Sequence, residues 1–318
     1  MKQGKKYQVL SEFWLRVIAL ISMTFDHVGA FLNLYSASFP NSSSIDNISI
    51  AFRILGRLAM PLFAFMLAEG LRHTHDKVKY LLRLTDIWAI CFVAELVIYI
   101  LTRNGVLNYG YPPSQIFTSL LLYAGFAILL EQKGWKKYLA ILPVLYILLC
   151  YAADISLLYY TSSTTESIRY AFSWQFYFPE FIRAQYSLYG FLVFLGFYFA
   201  RPFADRFLKR TLSLDEAALG EYQKTEDYQQ LLNIVAATSF AVITVAFWGL
   251  SYIRTDLEPY TFDIYRMGWQ CYGLVVSLLL LCYNGKRGYD KPWFRYFNYL
   301  YYPVHIAIIA LIFVLIFC

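Results

Sequence analysis

Residues 13–32, FWLRVIALISMTFDHVGAFL, form an apolar run that nevertheless contains Arg16, Asp26 and His27. A helix needs about 20 apolar residues to cross a hydrocarbon layer of roughly 30 Å. A charged side chain at the centre of such a helix costs about 3 kcal/mol on insertion scales, so charges that persist face a cavity or a partner. The stretch therefore reads both as a membrane span and as one wall of a site. Arg16 and His27 are eleven residues apart, and eleven steps of a helix return close to the starting face about 16 Å further along. One cationic group and one deeper imidazole line the same side. Asp26 lies on a different face, so its position gives no reason to expect it to orient the His27 ring.

The rest of the chain repeats the apolar pattern. Of 318 residues, 59% are hydrophobic, 20% aromatic and only 15% charged, against about 25% charged in a soluble globular domain. That excludes an ordinary soluble enzyme. Apolar blocks at 13–35, 49–71, 79–102, 114–131, 137–160, 186–206, 231–253, 262–284 and 295–318 predict an all-α polytopic membrane helical bundle of about nine spans, with eight to eleven possible. We read 1–318 as a single integral membrane domain with two longer connections, 161–185 and 207–230. The five cysteines all fall in apolar stretches without a CxxC pair and read as small buried hydrophobes. The first run lacks a small-x-small cleavage site, so it is expected to be retained. No internal repeat or inverted pair of halves is evident, which weighs modestly against a transporter.

Basic residues favour cytoplasmic loops. With the N-terminus inside, nineteen of the 27 Lys and Arg residues fall in inner segments, five in outer ones, and Arg16, Arg53 and Arg57 within spans. The alternation places the N-terminus in the cytoplasm, 161–185 outside, 207–230 inside and Cys318 toward the outside. It also accounts for the net charge of +6 without invoking nucleic acid as a partner. His73 and His75, in the basic segment RHTHDKVK, read as part of a solvated face.

The three arginines within spans point to a site. In AFRILGRLAMPLFAFMLAEGLRH, residues 51–73, Arg53 and Arg57 are four apart and share a face, so they repel unless an anion or carboxylate lies between them. Glu69, Glu95, Asp86 and Asp154 are candidate counter-ions. Pro61 should bend this helix, and Gly56 and Gly70 allow close approach of a neighbour. The last run, FNYLYYPVHIAIIALIFVL at 297–315, carries His305 near mid-depth. His27, Arg53, Arg57 and His305 can all reach the middle or outer half of the membrane. At the inner end of the eighth span, CYNGKRGYDKPWFR places Lys286 and Arg287 in a glycine-flanked turn suited either to anchoring or to a phosphate. Soluble-enzyme signatures such as a Walker loop, HExxH or GxSxG are absent.

The segments LRVIALISMTFDHVGAFL, FRILGRLAMPLFAFMLAEGLRHT, LCYNGKRG and FNYLYYPVHIAII together resemble TraX, the F-pilin acetylation family. The resemblance spans nearly the whole chain and is weakest between about 103 and 230. The family is similar in turn to transmembrane acyltransferases of the acyltransferase family 3 type. Their Arg-(ten residues)-His signature is met by Arg16 and His27, and their arginine motif ending in proline is loosely met by Arg53, Arg57 and Pro61.

The resemblance implies transfer of an acetyl or other short acyl group from cytoplasmic acyl-coenzyme A, across a bacterial cytoplasmic membrane, to an amine or hydroxyl. The acceptor at the outer face would be a pilin N-terminus, peptide, glycan or lipid. Arg16, Arg53 and Arg57 would hold the coenzyme's phosphates or pantetheine oxygens and polarise the thioester carbonyl, with Lys286 and Arg287 at the inner mouth. His27 would be general base or transient acyl carrier, with His305 and Asp26 as further catalytic candidates. No metal is expected. The main competing class is a transporter or flippase for an anionic amphiphile bound at Arg53 and Arg57; a third is a haem protein with His27 and His305 as axial ligands.

Overall fold

The computed structural model describes residues 7–104, 116–161, 178–253 and 265–317. Apart from one isolated bridge between Leu10 and Tyr283, the regular structure among these residues is helical. The helices are α1 (Glu12–Leu34), α2 (Ser42–Gly56), α3 (Ala59–His73), α4 (Lys77–Arg103), α5 (Ile116–Leu130), α6 (Ile141–Thr161), α7 (Ser187–Thr211), α8 (Glu216–Tyr222), α9 (Glu226–Leu250), α10 (Met267–Leu281) and α11 (Pro292–Phe317). Seven helical stretches are long and apolar enough to cross a membrane, with α2 and α3 counting as one. The fourth and eighth expected spans appear as the shorter apolar helices α5 and α10. The fold is thus an all-α polytopic membrane bundle. The expected positions of Lys2, Lys5, Lys6, Arg169, Arg254 and Cys318 lie outside the described residues.

Large apolar side chains face outward along these helices. Leu315 and Ile316 on α11 are 75% and 65% exposed, and Val93 and Val97 on α4 and Leu142 and Leu145 on α6 are exposed as well. In water such patches would drive association; lipid removes that penalty.

Two expected elements differ in detail. The span expected at 49–71 starts earlier, at Ser42, and is interrupted at Arg57 and Leu58. Pro61 has no N–H to offer the Arg57 carbonyl four residues back, and its ring crowds that turn, so the break falls one turn before the proline. The 207–230 connection holds the end of α7, all of α8 and the start of α9. Asp215 caps α8 by accepting from the Ala218 N–H at 2.7 Å. Tyr228 and Gln223 both donate to Asp205, at 2.6 and 3.0 Å, over a small core of Ala204, Leu208 and Leu219. Of the 161–185 connection, residues 162–177 are outside the described residues.

The chain forms two compact units, one made of Met1–Glu69, Leu192–Val245 and Gly268–Cys318, the other of Gly70–Phe191 and Ala246–Met267. In the second, Arg183 is buried and pairs with Asp154 at 2.6 Å and Glu180 at 3.4 Å. Trp88 donates to Thr118 and Tyr146 to the Ile182 carbonyl, at 3.0 and 2.6 Å. These contacts form a polar seam between helices.

In the first unit, α1 is the organising element. Helix α2 lies against one side of it: Ser22 donates to the Leu55 carbonyl at 2.7 Å, and Ser49 to the Gly29 carbonyl at 2.8 Å. The approach is close because Gly56 has no side chain; a Cβ there would fall 2.7 Å from the Cα of Asp26. Gly56→Ala is therefore expected to destabilise by about 1–3 kcal/mol through forced separation of α1 and α2. Gly125 on α5 has nothing within 4 Å of a built Cβ, so Gly125→Ala should leave stability unchanged or slightly raised. Thermal unfolding of the two variants in detergent checks the contrast, and equal melting temperatures would refute it.

Helix α11 runs parallel to α1 along another side. Phe13 meets Phe294 at a ring separation of 5.0 Å, the Thr24 and Tyr301 hydroxyls are 2.6 Å apart, and Tyr35 stacks on Phe317 at 5.1 Å. These pairs fix the register in which the two histidines meet.

Candidate functional site

The site is built around α1, beginning at its N-terminus. The first N–H groups of a helix lack intrahelical acceptors. Here the Lys286 and Arg287 carbonyls accept from the Glu12 and Phe13 N–H groups at 2.9 and 3.0 Å, and Leu10 exchanges backbone bonds with Cys282 and Asn284. Gly285 and Gly288, both at φ 71°, supply the left-handed turns that let the segment fold over the helix end. Lys286 and Arg287 are thereby fixed at the same end of α1 as Arg16, which pairs with Glu12 one turn earlier. The Arg287 guanidinium is 3.4 Å from Asp290. The structure thus brings three of the predicted basic residues to one end of α1.

Eleven residues further along, His27 Nδ1 is 2.7 Å from His305 Nε2. His305 Nδ1 is 2.7 Å from the Tyr301 carbonyl, which can only accept. His305 therefore carries its proton on Nδ1, and in the neutral pair its Nε2 must accept from His27 Nδ1–H. That leaves the lone pair of His27 on Nε2, the ring edge turned away from His305. The chain of bonds sets the tautomer of His27 through a second histidine, the role a carboxylate plays in many hydrolytic sites. Rings enclose it: Tyr301 stacks on His305 at 4.9 Å, and Tyr302 presents an edge to His27 at 5.7 Å. Thr24 donates to the Leu20 carbonyl at 2.9 Å and so accepts from the Tyr301 hydroxyl.

Asp26, one residue along and about 100° around the helix, meets α2 instead. Its carboxylate lies between both guanidiniums, with Arg53 Nη1 at 3.0 Å and Arg57 Nη2 in direct contact. Arg57 Nε also donates to the Arg53 carbonyl at 2.8 Å, so both cations sit at the C-terminal end of α2, where the helix dipole favours them. Asp26 is thus the counter-ion sought among Glu69, Glu95, Asp86 and Asp154. The sequence hinted at this only through spacing: α1 and α2 are adjacent in the chain, and a carboxylate beside His27 faces whichever helix packs next. The arginines and the histidine pair are joined through the neighbouring residues Asp26 and His27, while Arg16 stands about three turns away.

Two side-chain amides escaped the sequence reading. Gln270 on α10 is fully buried, and Asn298 on α11 has buried polar atoms; in both, nitrogen and oxygen have no hydrogen-bond partner among the described residues. Gln270 and the Arg57 carbonyl both lie within 4 Å of the point where a Cβ on Gly273 would fall. Carboxamides inside apolar runs are the signal that would have found them. No group of three or more His, Cys, Asp or Glu side chains that could hold a metal occurs among the described residues.

Fold and site together define a multi-pass helical membrane protein with a buried histidine pair beside a carboxylate-bridged arginine pair. A model of the TraX protein family matches residues 11–265, and the chain belongs to that family. The match includes Arg16, Asp26, His27, Arg53 and Arg57 and ends before Lys286, Arg287 and His305. A segment of 74 residues is 40% identical to the probable fimbrial assembly protein FimC, serogroup H1, of Dichelobacter nodosus, covering 23% of this chain. The chain thus spans about a quarter of that relative's length, 27%. No solved structure matches.

Proposed function

We propose that the protein is a membrane-embedded acyltransferase that moves an acetyl or other short acyl group from cytoplasmic acyl-coenzyme A to an outer-face amine or hydroxyl. The observation that carries this reading is the His305–His27 pair, which presents a free Nε2 lone pair deep in an apolar helix bundle. Attack by the acceptor on the thioester carbonyl forms the new C–N or C–O bond. His27 Nε2 takes the acceptor's proton, the C–S bond breaks, and the proton passes to the departing coenzyme thiolate. General-base help of this kind is worth about 10²–10⁴ in rate.

The arginine pair with its bridging carboxylate carries a net charge of one. That suits a single developing oxyanion beside His27, and the phosphates are assigned by position to Arg16, Lys286 and Arg287, about three turns away at the end of α1. The Arg16 to His27 spacing supports a relation to acyltransferase family 3. The family's link to pilin acetylation and the similarity of one segment to a probable fimbrial assembly protein favour a pilin-like protein amine as acceptor. The basic residues favour an N-terminus on the cytoplasmic side of a bacterial inner membrane. The flippase reading needs Arg53 and Arg57 free for an anion, and the Asp26 bridge weighs against it.

The test uses purified protein in nanodiscs with acetyl-coenzyme A labelled on the acetyl group and a pilin N-terminal peptide or other amine. Label should move to the amine with stoichiometric release of coenzyme thiol. Absence of transfer and of thiol release with every amine and hydroxyl tried would overturn the proposal.

A further inference from the structure

Helices α1 and α11 touch at Phe13 with Phe294 near one end of the site and at Thr24 with Tyr301 further along. Between these contacts, on the same stripe of α11, stands Asn298; it is four residues from Phe294 and seven from His305, and both steps keep a helical residue on one face. On α1 the matching stripe between Phe13 and Thr24 is Val17 and Leu20, which have no polar side-chain atoms. The Asn298 carboxamide is buried, with its nitrogen and oxygen unpaired among the described residues. An apolar side chain of the same size would avoid the desolvation penalty this leaves.

The unpaired groups are two N–H donors and one carbonyl acceptor, with no charge. A phosphate would leave the carbonyl unmatched, and an ammonium would leave the N–H groups unmatched. A secondary amide, with one donor and one acceptor, matches both. We propose that Asn298 binds an amide in the pantetheine arm of the donor, holding that arm along the flank of the α1–α11 contact, beside the Thr24–Tyr301 pair. This rests on the acyl-coenzyme A reading and names how its substrate is recognised. The dimensions agree: Asn298 and His305 are seven residues apart, about 10 Å along the helix. In an extended pantetheine arm the amide further from the sulfur lies roughly 9 Å from it by standard bond lengths. A thioester carbonyl at His27 thus brings that amide to Asn298, with the arm pointing toward Arg16. Asn298 is a substrate-positioning residue, apart from the acid–base chemistry.

The experiment compares three thioester donors with wild-type protein and Asn298→Leu: acetyl-coenzyme A, S-acetylpantetheine, and an S-acetyl alkanethiol of the same arm length without amides. Wild type should prefer S-acetylpantetheine over the alkyl thioester at least tenfold in kcat/KM. Asn298→Leu should raise KM for the two amide-bearing donors about tenfold, leave kcat within twofold, and leave the alkyl thioester unchanged. Its melting temperature without donor should be equal to or above that of wild type. Wild-type turnover without preference for the amide donors overturns this inference even if the variant cannot be purified, and so does a variant whose loss is equal for all three donors. If wild type neither transfers from acetyl-coenzyme A nor is thermally stabilised by it, the acyltransferase reading falls instead.

Discussion

His27→Ala is expected to lower the proposed acyl transfer by about a thousandfold, the middle of the range for removal of a general base, while thermal stabilisation by acetyl-coenzyme A should stay within twofold of wild type. Only His27 Nε2, among the nitrogens of the pair, keeps a lone pair outside the chain running from the Tyr301 carbonyl through His305 to His27 Nδ1. On the proposed mechanism His305 acts through His27, so its variants separate two meanings of the contact. His305→Gln retains a carbonyl oxygen that can accept from His27 Nδ1–H and should keep at least a tenth of the activity. His305→Leu removes the acceptor, frees the tautomer and rotation of the His27 ring, and should lose about a hundredfold in kcat with KM little changed. Single-turnover measurements with labelled acetyl-coenzyme A read both. Full turnover in His27→Ala would refute the assignment of the base; equal activity of the two His305 variants would refute the positioning role alone.

Asp26→Asn has its largest effect on folding. The carboxylate balances two guanidiniums within the membrane-spanning part of the chain, and its loss leaves two like charges four residues apart with no counter-ion on α1. Breaking a buried pair by removing one partner costs about 3–5 kcal/mol. Asp26→Asn should therefore fail to accumulate as a monodisperse protein in detergent, or melt far below wild type. Removing a cation together with the anion should relieve part of the loss, so Asp26→Asn with Arg57→Gln should be more stable than the sum of the single changes predicts. The measurement is thermal unfolding across the four-membered cycle. Simple additivity would show that the bridge contributes nothing to holding α1 on α2.

Helix positions and membrane character were legible because they rest on run length and on the placement of 27 basic residues. The break before Pro61 was legible in kind but not in place, because proline acts on the turn before it. The pairing of His27 with His305 was within reach only as convergence at similar depth; a count of nine spans makes the first and last parallel, but nothing in a single sequence says that the two lie side by side. The helical angle between Asp26 and His27 is fixed by the sequence, but the contact of Asp26 with Arg53 and Arg57 depends on which face of α1 packs against α2, which spacing along α1 does not give. Asn298 was passed over among the aromatic residues around it, since an unpaired carboxamide becomes visible only when its neighbours are known to be apolar.

The two halves of the site mature at different times. Asp26 and its arginines are about 30 residues apart and come together as soon as one hairpin is inserted. His27 must wait for His305, 278 residues later, which at about 5–20 residues per second of synthesis is roughly 15 to 55 seconds. A nascent chain can therefore settle its charges in the bilayer early while the His27 ring stays unaligned. On the proposed function, catalysis would become available only when α11 is in place, so an incompletely inserted chain would have no aligned base with which to act on coenzyme thioesters.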